Sequence, residues 1–284
     1  MRLKLNIHKL KISRAFFGYA LAGVLMLFVF LYLRFPGDAV RDYLKASAAS
    51  RYPNMLFVLD AIGPAMPPGM AIENLTVGFR GRPEATLHAD RLTFAPGWLS
   101  VIQGKAAVSA SASLYGGEIN GSYELAKAFS LKGPFKSVVR FEGLRLGKSL
   151  LIQDLFARQV SGTLKGSFTA TGDAGPLKNV AGKLEATLTN GSYQLLENLA
   201  GFDKINFSRI DLKMELGKGA LKISSLTVNG DKIRITLKGN ILLAGDLQES
   251  RMDLTGSVEL QGLGGRRMPI TIGGVWGSPT VKLM

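Results

Sequence analysis

The chain contains no cysteine and only two histidines among its 284 residues. Without thiols it has no disulfide, no thiolate metal site and no cysteine nucleophile. His8 and His88 are far apart in sequence, and zinc needs three or four nitrogen or sulfur ligands. A Ser/His/Asp triad at His88 would need a nucleophile, and the sequence has no G-x-S-x-G elbow to supply one. The sequence therefore predicts a protein that is not an enzyme, with no catalytic residue, no metal site and no cofactor.

Acidic residues are few relative to basic ones, and the formal net charge is +14. Beyond the N-terminal tail the Lys and Arg residues stand singly along alternating segments, without the aromatic-rich basic patch of a nucleic-acid binder. The glycine-rich segment 262–265, followed by Arg266 and Arg267, lacks the Lys-Ser/Thr of a phosphate loop and is predicted to be a surface loop. The charge thus favours an anionic membrane surface over nucleic acid.

Residues 15–33 carry no charged side chain and read AFFGYALAGVLMLFVFLYL. At 1.5 Å per residue, such a run nearly matches a hydrocarbon core about 30 Å thick. Tyr32, near its end, suits an interfacial aromatic anchor. Small-residue pairs that a signal peptidase would need fall inside the run (Ala20 and Ala22) or well past its end (Ala46 and Ala48). The sequence therefore predicts an uncleaved transmembrane helix over a cleaved signal peptide.

The flanks of this run predict its orientation. The tail before the run carries only basic charges: Arg2, Lys4, Lys9, Lys11 and Arg14. The flank after it mixes acidic and basic residues. By the positive-inside tendency, the N-terminus is cytoplasmic and the rest of the chain lies in the periplasm of a Gram-negative-type envelope.

A short helix is predicted directly after the membrane run, over residues 37–50. Asp38 is placed to cap it, and Val40, Tyr43 and Leu44 share one face. The preferred interpretation is a stalk that lifts the following domain off the bilayer.

From about Met55 onward, apolar and polar residues alternate with the period of a β-strand. Clear examples are residues 108–114, 210–216, 233–238 and 251–260. Turns are predicted at Tyr115-Gly116-Gly117, Asn190-Gly191 and Asn229-Gly230-Asp231. Helical spacing is confined to residues 148–158 and 193–199.

A loose repeat also runs through this part of the chain. V-x-G-x-L-x-small occurs at residues 160–166 and 180–186, and its centre, L-x-G-x-apolar, recurs at 237–241 and 254–258. Such repetition is typical of strand units that cover one another's apolar faces. The strands can close into a barrel, stack as a sandwich or curl into a trough, and the pattern does not choose between these.

The C-terminal third resembles the last repeats of AsmA-like envelope proteins. The similar segments are 226–260 and 268–283, the latter with the pattern P-[IV]-x-I-x-G-x-x-x-x-P at Pro269, Ile270, Ile272, Gly274 and Pro279. The front half of the chain resembles the type II secretion system protein N family. The similar segments are, in order, 72–77, 92–96 and 114–121. The short chain and the single N-terminal anchor also correspond to this family.

This resemblance implies a mainly β fold: an elongated, curved antiparallel sheet, trough-like or open-barrel-like, with one or two short helices. The narrower family implies an accessory inner-membrane component of the machine that exports folded proteins across the outer membrane. The broader group implies a hydrophobic groove associated with lipid transport or outer-membrane homeostasis. The implied partners are the inner membrane, other secretion-system subunits and phospholipid acyl chains.

The expected layout is a cytoplasmic basic tail (1–14), a transmembrane helix (15–33), a juxtamembrane helix or linker (34–53) and a periplasmic β-rich domain (54–284). If the groove exists, its predicted lining is apolar: Ile210, Leu212, Met214, Ile233, Ile235, Leu237, Met252, Leu254 and Val258.

Overall fold

The computed structural model describes residues 14–66, 69–126, 133–156, 158–173, 179–199, 202–245, 247–260 and 267–283. The helices are α1 (Arg14–Leu33), α2 (Gly37–Arg51), α3 (Trp98–Ile102) and α4 (Leu150–Phe156). The strands are β1 (Met55–Val58), β2 (Ala61–Ala65), β3 (Gly69–Phe79), β4 (Arg82–Pro96), β5 (Ala106–Leu114), β6 (Gly117–Leu125), β7 (Pro134–Arg145), β8 (Thr163–Asp173), β9 (Val180–Leu199), β10 (Phe202–Gly217), β11 (Ala220–Gly230), β12 (Ile233–Leu242), β13 (Arg251–Leu260), β14 (Arg267–Val275) and β15 (Ser278–Leu283).

The strands form one long antiparallel sheet. From β3 to β15 each strand pairs with the next along the chain, while β1 and β2 both pair with β3. Within the described ranges β1 and β15 do not pair with each other, so the sheet stays open. The predictions of a mainly β fold, an antiparallel open sheet and only a few short helices are confirmed.

Helix α1 occupies the apolar run of the sequence, and large apolar side chains along its whole length are exposed, among them Leu21, Leu25 and Phe30. In the part of the chain that the structure describes, no helix meets both the length and the apolarity required to cross a membrane. The predicted basic tail, Arg2, Lys4, Lys9 and Lys11, lies outside the described residues.

Helix α2 is confirmed, but it is not a stalk. Val40 and Leu44 pack on the cluster of Leu59, Ile62 and Ile72, so α2 covers the sheet at β1, β2 and β3. The predicted face was wrong in one member, because Tyr43 is 71% exposed.

The predicted cap of α2 was also wrong. No side chain caps this helix. Asp38 instead forms an ion pair with Arg41, one turn along, at 3.0 Å. The helix is held by its apolar contacts with the sheet, and these do not need a polar cap.

Two predictions that fall on β9 were wrong. Asn190-Gly191 is not a turn, and residues 193–199 are not helical, because β9 continues through both and pairs with β10. Asn190 takes a φ of 51° within the strand, a conformation that asparagine tolerates better than most residues. Gly191 is required because a Cβ there would lie 2.6 Å from the Phe207 ring. Pairing with a long neighbour overrides local helical spacing.

The two other predicted turns and the helix predicted over 148–158 are confirmed, whereas the loop predicted over 262–265 lies outside the described residues. The turn between β5 and β6 has positive φ at both Tyr115 and Gly116, as a two-residue hairpin of type I′ requires. Gly230 ends β11 directly before the turn into β12. The helix predicted over 148–158 is α4, and its start is capped by Ser149, whose Oγ accepts a hydrogen bond from the Ile152 N–H at 3.2 Å.

The repeated L-x-G motif has a packing role between β12 and β13. Because these strands are antiparallel, Leu237 lies opposite Gly256, and Leu254 lies opposite Gly239. Each leucine therefore faces a position without a side chain. A Cβ at Gly256 would collide with the backbone carbonyl of Thr236. The motif lets two neighbouring strands interlock closely.

The sheet is curved, as contacts between distant strands show. Helix α4 forms an ion pair with β4 through Asp154 and Arg82, at 3.2 Å. The same helix meets the turn between β14 and β15, where Phe156 and Trp276 have ring centroids 6.0 Å apart. Strands ten positions apart in the sheet thus approach one helix, which requires the sheet to twist and curl.

Candidate binding face

One face of the sheet, here called the apolar face, carries an unbroken row of apolar or glycine residues from β2 to β15. Successive members of this row are register partners on neighbouring strands: Ile62, Ile72, Leu92, Ala112, Ile119, Phe141, Gly166, Ala186, Leu212, Leu226, Leu237, Gly256, Ile270 and Leu283. Because side chains alternate between faces along a strand, register partners share a face. The apolar face is therefore continuous across the sheet.

All nine residues predicted to line a groove lie on this face. Four of them are buried to 5% exposure or less: Ile233, Leu237, Leu254 and Val258. The other five are half-buried: Ile210, Leu212, Met214, Ile235 and Met252. Whether lipid reaches any of them stays a prediction.

Over β10 to β14 the apolar face packs on itself. Ile205 of β10 belongs to one cluster with Val258 of β13 and Ile270 of β14. A second cluster, formed by Ile223, Ile241 and Leu254, is covered by Trp276. These two groups are called the rear clusters. Side chains from β10 to β14 share these clusters, so this part of the face is filled by its own residues.

A third cluster covers the face between β3 and β8. Ala89, Leu114 and Leu144 are its buried members, and Tyr115 packs against them. The Tyr115 hydroxyl is buried and has no hydrogen-bond partner among the described residues, which is costly for a polar group in an apolar setting.

On β5 to β7, away from the end of these strands that the third cluster covers, part of the apolar face remains accessible and is here called the open strip. It consists of Val108 on β5, Tyr123 on β6 and Phe135 on β7. Val108 and Tyr123 are register partners and are 43% and 37% exposed. The rings of Tyr123 and Phe135 are stacked with centroids 5.4 Å apart. An apolar strip with one phenolic hydroxyl fits an apolar chain with a polar end.

The opposite face is polar throughout the middle of the sheet. One register row on it reads Thr93, Ser111, Asn120, Arg140, Ser167, Glu185, Lys213 and Ser225. Ion pairs such as Lys105–Glu124 (2.9 Å) and Arg91–Glu73 (3.4 Å) link neighbouring strands on this side. The sheet therefore separates an apolar side from a charged one.

On this polar face, β6 to β10 surround an open hollow of about 750 Å³. Asp211 lines this hollow and accepts hydrogen bonds from Arg209 Nε at 2.7 Å and from the Thr187 hydroxyl at 2.9 Å. The Arg209 guanidinium, together with Thr187, holds the pKa of Asp211 below its ordinary value. The lining contains both acidic residues, such as Glu118 and Glu142, and basic residues, so the hollow selects neither anionic nor cationic ligands.

His88 lies on the polar face and is half exposed. Its Nδ1 is 3.0 Å from the Thr76 hydroxyl, and its Nε2 is 3.6 Å from the Asp90 carboxylate. The second distance is too long for the hydrogen bond that orients a catalytic histidine. Neither the hollow above nor the smaller one of about 310 Å³ beside α4 includes His88. Across the described segments, His, Asp and Glu residues form no group of three that could hold a metal ion.

No family model, curated protein or solved structure matches this chain.

Sequence reasoning missed the open strip. Val108 was recognised as one member of an alternating strand. However, no feature of the local sequence distinguishes it from Val258, which stands in the same kind of alternating pattern. The signal that distinguishes them is the size of their neighbours. Ala106, Ala110 and Ala112 surround Val108 on its own strand, and such small side chains fill less space above the sheet.

Proposed function

We propose that this protein is a non-enzymatic component of a Gram-negative-type cell envelope, anchored in the inner membrane by α1 with its sheet in the periplasm. Within that setting we propose that it acts as an accessory subunit of the type II secretion system. The observation that carries the general proposal is the continuous apolar face on an open sheet, which is suited to binding and scaffolding. The specific role rests on the resemblance of the quoted sequence segments.

The membrane anchor is supported by the sequence of residues 15–33, which carry no charge, and by the exposure of apolar side chains all around α1. Such a helix needs an apolar environment on every face. The purely basic tail before it supports a cytoplasmic N-terminus.

The absence of cysteine makes the orientation simple to test. Single-cysteine variants His8→Cys and Lys213→Cys would be treated in spheroplasts with a maleimide that does not cross membranes. We expect labelling of K213C in intact spheroplasts and of H8C only after lysis. The reverse pattern would contradict the orientation, and release of the chain by alkaline extraction would contradict the anchor.

The secretion role predicts a specific phenotype of deletion. Enzymes that are normally exported should accumulate in the periplasm, and the full chain supplied in trans should restore their export. Normal export in the deletion strain would contradict this role. A leaky outer membrane together with normal export would favour the second candidate.

The second candidate is a lipid-handling module, and the open strip is the observation that favours it. Val108, Tyr123 and Phe135 present an accessible apolar surface on the apolar face. The mechanism is passive: an acyl chain lies along the strip, and each buried methylene contributes about 0.8 kcal/mol. The Tyr123 hydroxyl is available to the polar end of the lipid.

Native mass spectrometry of the full chain in detergent tests this candidate. We expect phospholipid to remain bound, and Val108→Asp to reduce the bound fraction. Ser111→Asp is the matched control, because Ser111 lies on the same strand but on the polar face. Equal lipid occupancy in V108D and S111D would contradict a lipid site at the open strip.

A further inference from the structure

Exposed apolar residues also gather at one end of the sheet. Helix α3 connects β4 to β5, and its Trp98, Leu99 and Ile102 are 50%, 77% and 83% exposed. Met66, directly after β2, is 76% exposed. Ala65 and Gly69 are register partners, as are Met70 and Phe94, so Met66 and the end of β4 lie at the same end of the sheet.

Helix α2 enters the domain near this same end. Gly37, its first residue, packs so closely on the carbonyl of Ile62 that a side chain there would collide with it. Arg41 Nη1 approaches the Asp60 carbonyl at 3.4 Å, and the helix continues toward β1. The helix therefore runs away from the Ala65 end of β2, and the chain before Gly37 approaches from that end.

The connection between α1 and α2 is short. Leu33 ends α1 and Gly37 begins α2, and four residues of extended chain span at most about 14 Å. Ala65 lies three residues from Ile62, which is about 10 Å along a strand. If α1 is in a bilayer, the end of the sheet that carries Met66 and α3 must lie beside the bilayer surface.

We propose that α3, with Met66, is a second membrane contact that dips into the interfacial region of the same phospholipid bilayer. This inference rests on the proposed anchoring by α1. Trp98 has the amphipathic ring that prefers the bilayer interface, and Leu99 and Ile102 supply apolar side chains for the acyl boundary. The contact fixes the tilt of the sheet relative to the membrane.

The second tryptophan makes the test selective. The chain has only Trp98 and Trp276, so Trp276→Phe leaves Trp98 as the sole tryptophan, and Trp98→Phe leaves Trp276; excitation near the red edge of the absorption band selects tryptophan over tyrosine. The full-length variants would be reconstituted into phosphatidylethanolamine–phosphatidylglycerol vesicles with and without lipids brominated near the headgroup end of the acyl chain. We expect brominated lipid to quench most of the W276F emission and little of the W98F emission.

A pair of charge variants completes the test. In the W276F background, Leu99→Asp should abolish the quenching and shift the Trp98 emission to longer wavelength. Leu150→Asp is the control, because Leu150 is an exposed leucine on α4, at the opposite end of the sheet. It should leave the quenching unchanged.

The outcomes separate this inference from the anchor. Retention of the chain in vesicles after alkaline extraction, without quenching of Trp98, would overturn the α3 contact and leave the anchor standing. Loss of the chain on extraction would overturn the anchor and this inference with it. Equal quenching in the L99D and L150D variants would also overturn the α3 contact.

Discussion

The rear clusters and the open strip lie on the same apolar face and have the same alternating pattern, yet one is filled and the other accessible. Val258 on β13 is 1% exposed, whereas Val108 on β5 is 43% exposed. Over β10 to β14 large aliphatic residues from several strands pack into shared clusters. Around Val108 alanine dominates the strand, and the space above the sheet is not filled. The alternating sequence pattern therefore determines which residues share a face of the sheet. The volume of their side chains and the curvature of the sheet determine whether that face forms a closed core.

The largest expected effect separates two valines. Val258→Asp should lower the free energy of unfolding by more than about 4 kcal/mol, because it buries a charge without a partner. Val108→Asp should change it by less than about 1 kcal/mol, because the new carboxylate reaches water. Urea unfolding followed by circular dichroism measures both. Similar losses in the two variants would mean that the two regions are equally closed.

A smaller effect tests how closely the rear strands interlock. Gly256→Ala should cost about 3 kcal/mol of unfolding free energy, because its Cβ has no space beside the Thr236 carbonyl and Leu237. Gly217→Ala is the control, since no atom of the residues that the structure describes lies within 4 Å of its added Cβ. Thermal unfolding of the two variants makes the comparison. A harmless G256A substitution would contradict the tight packing of β12 against β13.

The open strip predicts a modest stability effect with a larger effect on binding. Tyr123→Ala removes a stacked partner of Phe135 and should cost about 1 kcal/mol. If the strip holds lipid, the same change should lower the phospholipid fraction seen by native mass spectrometry. Stability measured by urea unfolding should fall far less than in V258D. A loss as large as in V258D would place Tyr123 in a closed core.

The smallest effect is on the polar face and depends on pH. Because hydrogen bonds from Arg209 and Thr187 hold the pKa of Asp211 below its ordinary value, Asp211 stabilises the fold above the pKa of an unfolded aspartate. That contribution is lost as the pH falls through the lower, folded-state pKa. The difference in melting temperature between the wild type and Asp211→Asn should therefore be present at neutral pH and shrink in acid. A difference that stays constant with pH would contradict this account.

Much of the sheet could be predicted from the sequence, because period-two alternation and turn residues are local signals. The strands around residues 108–114, 210–216, 233–237 and 252–260 follow directly from them. The turn at Tyr115-Gly116 was predictable for the same reason. The full length of strand β9 could not be predicted, because Asn190-Gly191 is a local turn signal and pairing with β10 overrides it.

The contacts of α2 and the difference between open and closed parts of the face depend on residues distant in sequence. Val40 and Leu44 gave a helical face, but only the fold shows that this face lies on Ile62 and Ile72. Likewise, no local pattern tells that Ile205 and Ile270 belong to one hydrophobic cluster. The secretion-system role and the membrane anchor stay predictions.

Thiol accessibility tests the central claim most directly, because the native chain has no cysteine. Val108→Cys and Val258→Cys would be compared for the rate of reaction with a maleimide on the folded, full-length protein. We expect V108C to react rapidly and V258C to react only after unfolding in denaturant. Equal rates in the folded protein would contradict an apolar face that is open at Val108 and closed at Val258.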